Sequence, residues 1–222
     1  MAKLPVLKLE KQWVIAAVQP SIWDVGNEWL YKLCEAYPAH TDAAQVAAKI
    51  WLIGRAYSAA AERGVAGKGQ ADKYIIGLSQ RFIDQKADRH LKRLPKPTAD
   101  FRKHLDQVVD VHHSFESIFS NDDELGRVSL TSKYLHFHRP DLFPIYDSRA
   151  STAVAQISPD SRFTDYKVSS GNADSLYGKF TVRTAWLLDK MDEMLGYTPT
   201  LRQLDNLLLQ VHRNKMKDQN RG

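Results

Sequence analysis

Residues 125–155 read LGRVSLTSKYLHFHRPDLFPIYDSRASTAVA. A short helix is predicted from Ser129 to His138, and it ends before Pro140 because a proline ring cannot continue a helix. Pro144 then forces its predecessor into extended geometry. Asp147 follows at the start of another helix, where free backbone N–H groups point at its carboxylate and fix it. The stretch therefore predicts two short helices joined by a proline-bounded turn.

The rest of the chain is also predicted to be mostly α-helical. Apolar residues recur at helical spacing, and Gly or Pro stands where the spacing stops. The further helices are predicted over residues 27–37, 43–63, 71–94, 98–119, 148–157, 180–195 and 200–217. Residues 14–18 are apolar and could hold a short N-terminal strand or a short helix. We expect one helical domain over 1–222, or two lobes of about 1–120 and 121–222 with the active site between them.

Composition excludes several classes of protein. The chain has 222 residues and no run of about 18 uncharged apolar residues, so no transmembrane helix is expected. Residues 1–9 lack the apolar segment of a secretory signal. A single cysteine, Cys34, excludes a disulfide framework and a cysteine-rich zinc site. We therefore expect a cytoplasmic monomer that binds no metal and no cofactor.

The positive charge is concentrated in one segment. Residues 81–104 hold eight lysines and arginines against three aspartates, a charge of +5 that equals the excess of the whole chain. The tail, residues 201–222, carries a further +3. Clustered basic residues favour binding to phosphates, as in DNA. The alternative is a solvated helix face and a frayed tail.

The quoted stretch resembles the helix-hairpin-helix DNA glycosylase superfamily over about 30 residues. Leu125-Gly126-Arg127 stands where the family has its hairpin, and Arg139-Pro140-Asp141 stands at the family's turn. Phe143-Pro144-Ile145-Tyr146-Asp147 stands where the family has its catalytic aspartate, with Tyr146 as one extra residue. The resemblance implies a helix-hairpin-helix glycosylase-like fold. It also implies duplex DNA with a flipped-out base as the partner.

The same resemblance implies a monofunctional DNA N-glycosylase. The nucleophilic lysine of bifunctional members would fall on Arg127 or Val128, so no lyase step is expected. Breaking an N-glycosidic bond builds positive charge on the sugar, and the Asp147 carboxylate would stabilise it. The other reading of Asp147 is a helix N-cap alone. The substrate would be a modified or non-canonical base, in DNA repair or in defence against phage DNA.

Other residues are candidates for binding. A flipped base needs a pocket with aromatic faces and hydrogen-bonding groups, and Arg55 within an apolar helix needs a partner, either Asp147 or a substrate oxygen. Trp23 could stack on a base or pack in the core. The substrate-binding candidates are Arg55, Tyr57, Tyr146, His136 and Trp23. The DNA-binding candidates are Gly126, Arg127, Ser129, Lys133, Arg149, Lys68, Arg89 and Arg93.

Two other classes remain open. A non-catalytic helix-hairpin-helix protein could bind DNA with the same hairpin and basic surface. A metal-dependent nuclease could use Pro140-Asp141 with Asp165-Tyr166-Lys167, but such a core places its carboxylates on adjacent strands, and this region lacks strand alternation.

Overall fold

A computed structural model describes residues 7–63, 70–120, 126–158 and 166–219, and over these ranges the chain is all-helical with no strand. A 3₁₀ turn, Phe101–Lys103, precedes α6. The helices are α1 (Lys11–Ala17), α2 (Asp24–Ala36), α3 (Ala43–Ala56), α4 (Ala71–Asp84), α5 (Ala87–Leu91), α6 (Leu105–Ser120), α7 (Val128–His138), α8 (Ser148–Ile157), α9 (Leu176–Leu195) and α10 (Leu201–Gln219).

Helix α7 lies at the centre of the core. It packs against α2, α3 and α6, and every residue from Leu130 to Phe137 is buried. A helix that is buried all round is a core helix, not an amphipathic surface helix. Helix α8 packs against α9 and α10, and α1 covers the same two helices. The short connection between α7 and α8 therefore joins two groups of helices, and Asp147 lies at its end.

The mostly α-helical fold predicted from the sequence is confirmed. Helix α8 has the predicted bounds, and α7 begins one residue earlier than predicted. Of the two alternatives for residues 14–18, the short helix is found and the strand is not, because Val14 to Ala17 lie in α1 and Val18 is its C-cap. The helix-hairpin-helix glycosylase-like arrangement remains a prediction.

Three predicted long helices are shorter than expected, and the one predicted over 98–119 begins only at Leu105. Helix α3 ends at Ala56, and Ser58 has a left-handed φ of 52° that turns the chain back. The returning chain packs closely on Gly54. Any other residue at this position would place its Cβ atom 3.2 Å from the Ala59 carbonyl oxygen, which is a tight contact. The predicted helix over 71–94 breaks at Lys86, whose φ is 55°. Basic residues on the two sides of this break therefore do not share one helix face.

The connection between α2 and α3 is held by buried polar groups. The His40 ring donates from Nδ1 to Asp88 Oδ1 (2.6 Å), and Nε2 accepts from the Tyr134 hydroxyl (2.8 Å). Lys49 is fully buried, and its Nζ donates to the carbonyls of Tyr37 (2.8 Å) and Ala39 (3.2 Å). These bonds tie the connection to α3, α5 and α7.

Four histidines are held neutral by burial. Burial lowers the pKa of His40 from 6.5 to about 4 and that of His136 to about 4. It lowers the pKa of His112 to about 3, and the pKa of His138 lies well below 6.5. In the unfolded chain these side chains take up protons near pH 6.5, whereas the folded protein resists protonation until a lower pH. Acid therefore favours the unfolded state.

We predict that the free energy of unfolding falls as pH is lowered from 6.5 toward 4. A histidine whose pKa drops from 6.5 to about 4 costs roughly 2 kcal/mol of stability at pH 5. Asp205 and Glu116 act in the opposite direction because burial raises the pKa of both carboxyls, to about 6 for Asp205, but they are two groups against four. Urea unfolding at pH 7.5 and pH 5 measures the difference, and equal free energies at the two values would contradict the prediction.

Candidate functional site

Asp147 is the N-cap of α8. Its Oδ1 accepts a hydrogen bond from the Ala150 backbone N–H at 2.8 Å. Its Oδ2 lies 3.3 Å from Arg149 Nη2 and 4.0 Å from Lys133 Nζ. Ser132 Oγ accepts from the Tyr146 backbone N–H at 3.0 Å, which fixes the residue before the aspartate. One carboxylate oxygen is thus used for capping, and the other faces two cations.

Lys133 is a buried cation in the middle of α7. Its Nζ donates to Ser129 Oγ (2.9 Å) and to the Tyr57 carbonyl (3.3 Å), and it lies 5.9 Å from the centre of the Tyr57 ring. Burial lowers the pKa of Lys133, and the charges of Asp147 and Asp205 act against that shift. The charged form of Lys133 is therefore stabilised by carboxylates from two other helices.

Asp205 in α10 completes this arrangement. It is 2% exposed and forms an ion pair with Arg202. Burial raises the pKa of Asp205 to about 6, Arg202 lowers it, and the negative charge of Asp147 raises it further. We call Lys133, Asp147, Arg202 and Asp205 the buried charge network. Helices α7, α8 and α10 each contribute to it.

A cleft lies beside this network. Its volume is about 1020 Å³, and its walls come from α2, the 3₁₀ turn, α9 and α10. Asn27, Tyr31 and Arg202 are among the lining residues, whereas Asp147 is not. Tyr57 connects the two places: its hydroxyl donates to Asn27 Oδ1 at 2.7 Å, and its ring centre lies 6.0 Å from the Arg202 guanidinium.

The substrate-binding candidates lie in different surroundings. Tyr57 lies between the buried charge network and the cleft, while Tyr146 packs edge-on against Phe180. His136 is fully buried, where its Nδ1 donates to the Phe143 carbonyl (2.8 Å) and its Nε2 accepts from the Tyr31 hydroxyl (2.7 Å).

Arg55 and Trp23 lie on the surface. Arg55 pairs with Glu62 and not with Asp147, and its side chain is 57% exposed. Trp23 is 65% exposed, so it does not pack in the core. Asp24 and Asn27 line the cleft, whereas Trp23 is not among the lining residues.

The DNA-binding candidates divide into two groups. Ser129, Lys133 and Arg149 surround Asp147, and Gly126 and Arg127 lie just before α7. Arg127 Nη1 donates to the Arg63 carbonyl at 3.4 Å. Arg89 lies in α5 and Arg93 follows it, both exposed. Lys68 lies outside the described residues.

Sequence analysis missed Asn27, Arg202 and Asp205. For two of the three, the sequence contains a usable signal, a polar residue on an otherwise apolar helix stripe. Asp205 lies on the apolar stripe of α10 formed with Leu201, Leu204 and Leu208, and all four are buried. Asn27 lies on the buried stripe of α2 with Leu30 and Cys34. A polar residue on an apolar stripe predicts a buried polar contact.

No protein-family model, curated protein or solved structure matches this chain. Within the described residues, no helix has both the length and the apolar character needed to cross a membrane. The same residues contain no group of three or more His, Cys, Asp or Glu side chains placed to hold a metal ion. Of the nuclease candidates, Asp141 pairs with Arg139, and Asp165 lies outside the described residues. The geometry of the site is therefore the basis on which we infer a function.

We predict that Asp205→Asn destabilises the protein by about 3 kcal/mol, because it leaves the Arg202 charge without its carboxylate in a buried place. The matched control is Glu193→Gln, which removes the carboxylate of another i,i+3 ion pair that is exposed. Exposed pairs contribute less than about 1 kcal/mol. Urea unfolding measures both variants, and equal losses would show that Asp205 is not part of a buried network.

Proposed function

We propose that this protein is a monofunctional DNA N-glycosylase in which Asp147 assists hydrolysis of the N-glycosidic bond of a modified or non-canonical base. The observation that carries the proposal is the Asp147 carboxylate, fixed at the N-terminus of α8 by the Ala150 N–H and flanked by Lys133 and Arg149. Its side chain is 16% exposed, so it is both held and reachable. DNA repair and defence against phage DNA are the two roles that fit this activity.

The proposed reaction needs little from the protein. The C1′–N bond breaks, and the base leaves with the electron pair and takes up one proton. A water oxygen forms a new bond to C1′ and releases one proton, so that the sum is addition of one water molecule. Positive charge builds on the sugar before the water adds, and a fixed carboxylate stabilises it. Asp147 Oδ1 remains bound to the helix, so Oδ2 is the oxygen that faces the sugar.

The surroundings of Asp147 support binding to a DNA backbone. Arg149 is 59% exposed and its guanidinium lies beside the carboxylate, where it can also contact a phosphate. Gly126 and Arg127 precede α7, and the free N–H groups at a helix start bind phosphate oxygens. The exposed arginines Arg89 and Arg93 add positive charge elsewhere on the surface. We infer that the partner is duplex DNA with the target base flipped out.

We predict that Asp147→Asn lowers the rate of base excision by about 10²- to 10⁴-fold, because the charge that stabilises the transition state is lost. Asparagine is as good an N-cap as aspartate, so the fold of α8 should be kept. Incubation with DNAs that carry different modified bases, followed by alkali to cleave abasic sites, measures excision. Binding to uncleaved DNA should survive.

A matched control is available in α3. Asp42 caps that helix through the Gln45 N–H, just as Asp147 caps α8 through Ala150. Asp42→Asn makes the same chemical change at an N-cap outside the site and should leave excision unchanged. Full activity of the Asp147→Asn variant would overturn the proposal. DNA binding without excision by the wild-type protein would favour a non-catalytic DNA-binding protein.

We further predict that borohydride traps no covalent adduct between the protein and DNA. Lys133 is the buried amine nearest to Asp147, but its Nζ already donates to Ser129 Oγ and the Tyr57 carbonyl, and it serves as a charge partner of the aspartate. A lyase needs a lysine amine that is free to form a Schiff base with the sugar aldehyde. Denaturing gel electrophoresis after borohydride treatment tests this, and an adduct lost in Lys133→Met would identify a bifunctional enzyme.

A further inference from the structure

The outer side of α2 is apolar and exposed. Ile22 and Trp23, just before the helix, are 86% and 65% exposed, and Val25 and Trp29 within it are 64% and 67% exposed. Elsewhere in the described residues, exposed large apolar side chains occur singly or as one neighbouring pair. Single exposed apolar side chains are normal in folded proteins, whereas a cluster of them marks an interaction surface.

The positions of these side chains make them one surface. Trp29 follows Val25 by four residues and Ile22 by seven, which is the spacing of residues on one helix face. Side chains of this size and exposure leave on the order of 500 Å² of apolar surface, at the upper end of what a monomer exposes. The opposite side of α2, with Leu30 and Cys34, is buried in the core. Helix α2 is therefore apolar on two sides, and the described residues cover only one of them.

Gly26 lies on the same exposed side of α2, three residues before Trp29. Glycine inside a helix is less favourable than alanine, and the φ of Gly26 is not in the left-handed region that favours glycine. A Cβ atom at this position would have no neighbour within 4 Å among the described residues, so the packing of the chain does not require a glycine. Glycine allows another backbone to approach closely. Gly26 beside exposed apolar side chains therefore indicates a second helix that packs here. We call Ile22, Trp23, Val25, Gly26 and Trp29 the α2 outer face.

The charges beside the α2 outer face favour a second copy of the chain as the partner. Glu28 and Lys32 form an ion pair (2.6 Å) along the helix, and Lys32 Nζ lies 5.2 Å from the centre of the Trp29 ring. A helix face with one acidic and one basic side chain is self-complementary, because an antiparallel copy can set the partner's Lys32 opposite Glu28. Helix α2 contains one lysine against three carboxylates, which disfavours a phosphate backbone as the partner.

We propose that two copies of this chain associate through the α2 outer face, with their α2 helices packed closely at Gly26. The pair is symmetric, so each copy buries the same residues. Two such faces together bury on the order of 1,000 Å², the size that separates specific interfaces from incidental contacts. Trp23 and Trp29 are of the residue type that most often dominates the binding energy of an interface. Helix α2 also lines the cleft, so the dimer interface and the cleft share one helix.

Sedimentation velocity of the full chain, without DNA, tests the association over about 1 to 100 µM protein. We expect dimers at the upper end of this range, and a monomer at every concentration would overturn the inference. Trp29→Glu places a charge within the interface and should raise the dissociation constant at least about 10-fold. Because Trp29 is exposed, the fold should be kept, which far-UV circular dichroism checks. The matched control is Trp51→Glu, at a half-exposed tryptophan of α3, which should associate like the wild type.

Gly26→Ala tests the close packing of the two helices. Alanine favours a helix more than glycine does, and its methyl group has open space in the chain, so the urea midpoint of dilute, monomeric protein should not fall. The methyl group would hold the two α2 helices apart, and the dissociation constant should rise about 10-fold. The matched control is Gly77→Ala, since Gly77 is an exposed glycine of α4 with the same open space, and this variant should associate like the wild type. A dimer left intact by both Trp29→Glu and Gly26→Ala, or weakened equally by the two controls, would overturn the inference.

Discussion

The site depends on one constraint, the positive charge of Lys133 inside the core. This lysine lies in a stretch of α7 in which every side chain is buried, so its charge has to be matched by nearby groups. Asp147 from α8 and Asp205 from α10 provide that match. The two carboxylates come from different helices, α8 and α10, and these two helices pack against each other. The charge thus links the α7–α8 connection to the C-terminal helix.

The same constraint explains how Asp147 can be a structural and a chemical residue at once. Its N-cap bond uses Oδ1 alone, and this bond sets the direction of the whole carboxylate. Oδ2 faces the two cations and lies 4.0 Å from Lys133 Nζ and 3.3 Å from Arg149 Nη2. A cap of this kind contributes about 1 kcal/mol. Capping and catalysis are therefore not competing explanations, since the cap preorganises the oxygen that the proposed reaction uses.

Much of the fold was predictable from the sequence, because helix periodicity and proline positions are local signals. Helix α8 and its N-cap Asp147 were predicted with their observed bounds. The breaks at Ser58 and Lys86 were not, since both residues adopt left-handed backbone angles that nothing in a non-glycine residue type announces. The cleft was not predicted either, because its walls include residues as far apart as 27 and 202, which only the tertiary fold brings together.

Polar residues on apolar helix stripes form two kinds of site in this protein, and their hydrogen bonds distinguish them. Lys49 lies on the buried stripe of α3, but its Nζ donates to two carbonyls, so its role is complete within the fold. Asn27 lies on the buried stripe of α2, and its Nδ2 has no acceptor among the described residues. Sequences depart from local rules mainly where function or strain requires it. The sequence shows both departures equally, and the hydrogen bonds that distinguish them appear only in the structure.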